Sequence, residues 1–399
     1  MTRIMATNET HRLGDYIRPV DVRNRDLKVT EPMGINIDKH FMPSVANVIG
    51  TDLSTYKLVS KNQFACNLMH LGRDEKIPMA MHTDNDPIIV SPAYFVFEIT
   101  NTELLLPEYL MMWFRRPEFD RNAWFHTAGD VRGGLDKNEL MDMQLPVPDI
   151  ERQREIVSEY ETLTSRIRLN EQMIEKLEAT AQALYRHTFV DNIDKQNLPQ
   201  GWHLATLGEV CSVITKGTTP SDYSENGPVN FVKAESISPN HCIDNKMLAH
   251  IDGNTHNSEL KRSIIKENDI LFTIAGTLGK FCIADKTFLP ANTNQAVAII
   301  RVDKSKIHPI DIYAMFVGGV HEDYCKRNIQ QAVQANLNLE TISKIPIVLP
   351  PNDIMNIFQK KVLSVFNAIY LKQQENIKLI ELQSLLLAKM GKEKYDNEE

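Results

Sequence analysis

Apolar positions along this chain follow two patterns, and each pattern occurs twice. Before residue 150 they fall in short runs broken by turn residues, such as Tyr94-Phe95-Val96-Phe97, which predict strands. The spacing then changes to alternating steps of four and three: Ile156, Tyr160, Leu163, Ile167, Asn170, Ile174, Leu177, Ala181 and Leu184. That is a seam of a and d positions, the pattern of a helix packed along another helix. Strand-like runs return after residue 203, for example Ala296-Val297-Ala298-Ile299-Ile300. A second seam follows at Phe358, Val362, Val365, Ile369, Lys372, Asn376, Leu379, Gln383 and Leu386, with Ile377 and Ile380 widening the stripe sideways. No proline or glycine falls between Glu151 and Asp191 or between Asp353 and Met390. Each predicted helix of ~38 residues would be ~57 Å long at ~1.5 Å per residue. One small domain cannot cover such a rod, so each helix needs a partner helix, and the nearest candidate is the other copy.

The repeat extends into the globular parts. Each half opens on a Leu-Gly-acid step, Leu13-Gly14-Asp15 and Leu207-Gly208-Glu209. Each has a helical segment after a proline, at Pro107 and Pro309, and a proline-punctuated apolar strand, Leu145-Pro146-Val147-Pro148 and Ile347-Val348-Leu349-Pro350. Leu135/Leu337 and Pro148/Pro350 share an offset of 202, whereas the offset is 194 at the Leu-Gly step and 206 at Asn62/Asn268. Insertions therefore distinguish the globular parts while their ends keep register.

Composition narrows the class. At 399 residues, with 42% hydrophobic and 24% charged residues, the chain is expected to fold into two or more units. No apolar run reaches the ~20 residues of a membrane span, and the first residues lack the apolar stretch of a signal peptide. Cys66, Cys211, Cys242, Cys282 and Cys325 are scattered, which argues for thiols in a reducing cytoplasm rather than disulfides or structural zinc. The net charge of −8 argues against a large basic face. Residues 1–150 carry 16 basic and 21 acidic groups, and residues 191–350 carry 15 and 17. A nucleic-acid reader with this balance would need a partner to supply much of the phosphate contact.

Catalytic patterns are missing. Asn85-Asp86-Pro87-Ile88 and Pro350-Pro351-Asn352 have the wrong order for the Asn/Asp-Pro-Pro-aromatic loop of an adenine methyltransferase. Gly276-Thr277-Leu278-Gly279-Lys280 has two residues between its glycines and Phe281 after the lysine, so it does not make a phosphate loop. No His-Glu-x-x-His helix is present, and no metal site is expected.

In this setting the order of motifs resembles the specificity subunits of Type I restriction–modification enzymes, over nearly the whole chain. Gly201-Trp202, Leu207-Gly208-Glu209 and Lys216-Gly217-Thr218-Thr219-Pro220 look like the opening of a target recognition domain. Glu267-Asn268-Asp269-Ile270-Leu271-Phe272, Gly276 to Lys280 and Asn292-Thr293-Asn294-Gln295-Ala296 continue it. In the first half, Val90-Ser91-Pro92-Ala93-Tyr94 and Gly129-Asp130-Val131-Arg132-Gly133-Gly134-Leu135 are similar to another subclass of that domain. Pro148-x-x-Glu151-x-Gln153-x-x-Ile156 and Asn170-Glu171-x-x-Ile174-x-x-Leu177-Glu178 resemble the family's conserved helix. The first half has Asp21-Val22-Arg23-Asn24-Arg25 where the second has Lys-Gly-Thr-Thr-Pro, and the second helix begins Asn352-Asp353-Ile354-Met355-Asn356 without the glutamate–glutamine pair.

The resemblance implies an α+β protein: two mixed α/β target recognition domains, residues 1–150 and 203–350, alternating with two long helices, 151–190 and 351–392. A linker over 191–202 and a polar tail over 393–399 complete the chain, and the helices would pair as an antiparallel intramolecular coiled coil. It further implies a non-catalytic cytoplasmic protein that binds double-stranded DNA, two methyltransferase subunits and, where present, two restriction subunits. No cofactor would bind this chain; S-adenosylmethionine, ATP and Mg would belong to the partners. Each domain would read half of an asymmetric, split site. Side chains suited to base edges on turn-rich segments are Arg23, Arg25, Arg132, Lys216, Thr218, Thr219, Lys280, Asn294 and Gln295, each also able to serve as a turn residue. Antiparallel pairing would place Asn170 beside Lys372 or Asn376 and Ile156 near Leu386 or Met390, a polar layer that fixes register. Two other readings remain: a protein-binding scaffold dimerised by its helices, and a methyltransferase with an unrecognised motif.

Overall fold

The computed structural model describes residues 10–45, 50–69, 75–127, 134–191, 193–328 and 336–392. The chain divides into two units, residues 1–170 with 375–399 and residues 171–374. Both long helices, Ile150–Phe189 and Asn352–Lys392, are continuous and pass from one unit into the other.

In unit 1 the strand Thr10–Arg12 pairs antiparallel with Gln144–Pro146, which brings the two ends of the globular part together. One four-stranded sheet has the order Ile17–Pro19, Phe95–Ile99, Phe64–Cys66, Met79–Met81. A second has the order Phe41–Pro43, Pro32–Ile35, Ile88–Val90, Lys57–Val59, with its central pair parallel. Helices Pro107–Phe114 and Pro117–Phe125 both start on proline, whose fixed φ suits the first helical position and whose missing N–H costs nothing there. They press Phe114 edge-on against Phe64, which stacks on Phe97 at 5.1 Å. A buried ion pair ties the second sheet to these helices: Lys39 Nζ lies 2.7 Å from Asp120 and donates to the Phe114 carbonyl at 2.6 Å. Burial pushes the Lys39 pKa down, and the Asp120 carboxylate opposes that push.

Unit 2 repeats this plan strand for strand. His203–Thr206 pairs with Pro346–Leu349. The first sheet runs Cys211–Lys216, Val297–Val302, Ile270–Thr273, Phe281–Ile283, and the second Ala249–Ile251, Val229–Val232, Ala291–Thr293, Ile264–Ile265. Its central pair is again parallel. The helix Pro309–Val317 starts on proline as its counterpart does. The insertion-shifted pair Asn62 and Asn268 occupies one corner in both units: φ is +64° and +71°, and each N–H reaches across the following hairpin, to His82 and Ala284. Asparagine tolerates that left-handed conformation better than most side chains. The Leu-Gly-acid step also has one cause in both. A Cβ on Gly14 would sit 3.0 Å from the Met141 carbonyl oxygen, and one on Gly208 would sit 3.1 Å from that of Ser343.

The long helices run antiparallel within each unit. In unit 1, Ile156, Val157 and Tyr160 share a core with Leu387 and Met390. In unit 2, Ile174, Ala181, Tyr185 and Phe189 pack with Phe358, Val362, Phe366 and Ile369. All nine seam positions of each helix are buried or half-buried. Ile377 and Ile380 do not widen the seam: both remain more than 40% exposed. Among the described residues no helix is long and apolar enough to cross a membrane.

Candidate nucleic-acid interface

In unit 2 three segments distant in sequence meet at one edge. The strand Cys211–Lys216 delivers Lys216 into a turn that lies against residues 293–295. Gly217 makes the approach possible: its N–H donates to the Asn294 carbonyl at 3.1 Å, and a Cβ there would lie 1.7 Å from the Thr293 carbonyl oxygen. Two residues on, the Thr219 hydroxyl donates to Gln295 Oε1 at 2.5 Å. The third segment joins through Ile274, whose N–H donates to the Ala296 carbonyl at 2.8 Å. It turns through Gly276 and Gly279, at φ +76° and +83°, and returns at Lys280. The buried Thr273 latches this loop: its hydroxyl accepts the Lys280 N–H at 2.9 Å and also bonds the Thr277 carbonyl.

The structure thus gathers Lys216, Thr218, Thr219, Lys280, Asn294 and Gln295 on one edge. Thr218, Thr219, Lys216 and Gln295 are exposed, and Lys280 is half-buried. Lys216 and Lys280 form no ion pair among the described residues. Asn294 is a turn residue in part, since its side-chain oxygen accepts the Ala296 N–H at 3.1 Å. The edge therefore presents two uncommitted ammonium groups beside hydroxyl and amide groups. Such a set can neutralise phosphates and bond base edges.

Unit 1 carries different chemistry at the corresponding place. Arg23 is engaged internally, donating to the Thr55 carbonyl at 2.6 Å and pairing with Asp21 at 2.7 Å. That guanidinium holds the Asp21 carboxyl below its usual range. Arg25 is exposed, and its side chain has no partner among the described residues. Arg132 lies outside the described residues. Asn24 is fully buried and serves the turn, with Nδ2 donating to the Val29 carbonyl at 2.7 Å. Sequence reasoning missed two further cations. Lys57 bonds the Tyr94 carbonyl at 2.6 Å, and its ammonium, pushed down by burial, feels both Arg23 and Lys137. Lys137 lies over the Phe95 ring at 4.5 Å. Neither sits in a motif, and only tertiary pairing brings them to Arg23.

Between the helices, Asn170 Nδ2 donates to Asn376 Oδ1 at 2.8 Å, and Arg166 pairs with Glu375 at 2.6 Å. Thr164 accepts from Gln383 at 2.7 Å. Lys372 is half-buried along its own seam. Among the described residues no group of three or more His, Cys, Asp or Glu side chains could hold a metal ion.

Residues 199–383 match the family model of the Type I restriction modification DNA specificity domain. Over 382 aligned residues the chain is 24% identical to the Type I restriction enzyme HindI specificity subunit of Haemophilus influenzae, covering 77% of this chain and 81% of that one. The second half of the chain thus carries a match to the Type I DNA specificity domain, and the chain as a whole is similar to Type I specificity subunits. The chain is also 20% identical over 301 residues to the MjaIX specificity subunit of Methanocaldococcus jannaschii, with 72% and 68% of the two chains covered. Its fold is shared with the crystal structure of a Type I restriction–modification S subunit from M. genitalium, at a TM-score of 0.56 and 12% identity over 98% of each chain.

Proposed function

We propose that this specificity subunit reads an asymmetric, split DNA site, one half through each unit, while its long helices set the gap between the halves. Methyltransferase subunits dock on the helices, and restriction subunits join where present. S-adenosylmethionine, ATP and Mg belong to those partners, and this chain performs no catalysis. The observation that carries the reading is the duplicated frame with unlike loops: the strand orders match, yet Lys216, Thr219 and Gln295 in unit 2 stand opposite Arg23 and Arg25 in unit 1. Two copies of one frame give two equivalent stations, and different loops give different half-sites. A 40-residue helix is ~60 Å long, enough to bridge half-sites one DNA turn, ~34–36 Å, apart. The acidic balance fits a reader that leaves much of the phosphate contact to its partners. A groove of about 540 Å³ in unit 1, lined by Leu163, Leu382, Leu385 and Leu386, offers apolar surface for docking.

The test is methylation mapping of a host lacking other adenine methyltransferases, given this chain and a methyltransferase partner. Adenine methylation at a single two-part motif, absent when either protein is omitted, is expected. Methyl transfer by the purified chain alone would overturn the reading.

A further inference from the structure

The base of unit 2, where the second long helix begins, carries a half-open cavity of about 560 Å³. At the corresponding place in unit 1 the first long helix inserts Gln153, which is fully buried. Its Oε1 accepts the Leu106 N–H at 2.9 Å, and its Nε2 donates to the Leu104 and Pro148 carbonyls, each at 2.8 Å. That amide supplies one acceptor and two donors, which matches the junction's needs. Unit 2 has Met355 at the position 202 residues on, and a thioether supplies no donor. The acceptor's work passes to Asp311 on the helix Pro309–Val317, whose carboxylate takes the His308 backbone N–H. Met355 itself cannot take up the donor's work. Asp311 is 1% exposed, and its Oδ1 has no hydrogen-bond partner.

Asp311 and Met355 both line the cavity. Glu209 adds a second carboxylate to the wall. Of the nearby cations, Lys306 is committed to the Glu209 carbonyl at 2.8 Å and Lys304 is exposed. His308 accepts the Ile310 N–H on Nδ1 at 3.2 Å, which favours its neutral form. A buried carboxylate oxygen without a donor is costly, and a charged donor answers it best.

We propose that this cavity is a binding site for a guanidinium or alkylammonium group, held by Asp311 beside Met355, the counterpart of Gln153. The group arrives on a free small cation or at the tip of a partner subunit's arginine or lysine. Burial pushes the Asp311 carboxyl up to about 7, so the site is tested at pH 8, where the group is ionised.

The full-length chain is titrated with n-propylguanidinium and with spermidine by isothermal calorimetry, alone and after assembly with its methyltransferase partner. Saturable binding of one equivalent to the free chain is expected. Asp311→Asn should weaken it at least tenfold. Met355→Gln, which restores the plug of unit 1, should weaken it as much while raising the melting temperature. Binding that disappears on assembly assigns the site to a partner's side chain, and binding that persists assigns it to a small cation. No saturable binding to the wild-type chain, or binding by either variant as tight as that of the wild type, would overturn the proposal. So would preferential binding of inorganic phosphate.

Discussion

The two junctions between globular part and long helix use one backbone plan and opposite chemistry. Unit 1 locks its junction with the buried Gln153, which bonds three backbone groups from a single amide. Unit 2 places Met355 there, and Asp311 takes over one of the three tasks. The edges proposed to read DNA differ in the same way, with Arg23 committed in unit 1 and Lys216 and Lys280 uncommitted in unit 2. Duplication has preserved what strand order and apolar layers require, and the polar groups have diverged wherever the frame tolerates another solution. On the proposed function, a duplicated reader recognises two different half-sites without changing fold.

The largest contrast should come from the buried ion pairs. Lys39→Met leaves Asp120 charged among buried groups, and breaking such a pair costs ~3–5 kcal/mol. Hydrogen exchange in the strand Phe64–Cys66 should then accelerate by two to three orders of magnitude while the strand Ile270–Thr273 in unit 2 is unchanged. Asp269→Asn should reverse the pattern, because Asp269 holds Arg301 through two bonds of 2.8 and 2.6 Å. Equal effects of either change on both units would show that they do not unfold separately.

A smaller difference is expected at the junctions. Gln153→Leu strands the Leu106 N–H and two carbonyls, at ~1–3 kcal/mol for each buried group left unsatisfied. Met355→Leu keeps volume and polarity and should cost under ~1.5 kcal/mol. Proteolysis of the native chain should expose unit 1 in the first variant and leave unit 2 resistant in the second.

The reading edges are compared through salt. Lys216→Ala and Lys280→Ala should each weaken DNA binding by the assembled complex and lower the log–log salt slope by ~0.9 if each neutralises one phosphate. Arg23→Ala should change the slope less, since its guanidinium already serves Asp21 and Thr55. An Arg23 effect equal to that of Lys216 would mean that the internal pair opens on DNA.

The smallest effect lies in the polar layer of the helices. Asn170→Leu removes the 2.8 Å bond to Asn376 and should raise helix stability by a modest amount while loosening register. Cysteine pairs at 156 and 390 should crosslink fully in the parent chain and only in part in the variant.

Much of this frame was legible in the sequence because its signals are periodic or steric. Seams of four and three mark core positions wherever a helix lies on a helix, and the prolines at 107 and 309 begin helices. The Leu-Gly-acid steps mark where an added Cβ would lie within 3.1 Å of another segment's backbone. Ile377 and Ile380 misled because apolar character alone does not say which side of a helix is covered. At the reading edge, the Lys-Gly-Thr-Thr-Pro and Asn-Thr-Asn-Gln motifs were visible separately, but not the contact between Thr219 and Gln295, 76 residues apart. Lys57 and Lys137 carry no motif at all, and the Gln153–Met355 exchange was visible as a departure from the helix motif without a sign of what it does. Their meaning depends on which backbone groups surround them, and only the folded chain shows that.

The central claim is that each unit reads its own half of the DNA site, and domain exchange tests it most directly. Residues 203–350 are replaced by the corresponding segment of another specificity subunit, and the methylated motif is mapped across the host genome. The account predicts a motif with one half changed, the other half retained and the gap between them preserved. A motif changed in both halves, or in neither, would contradict it.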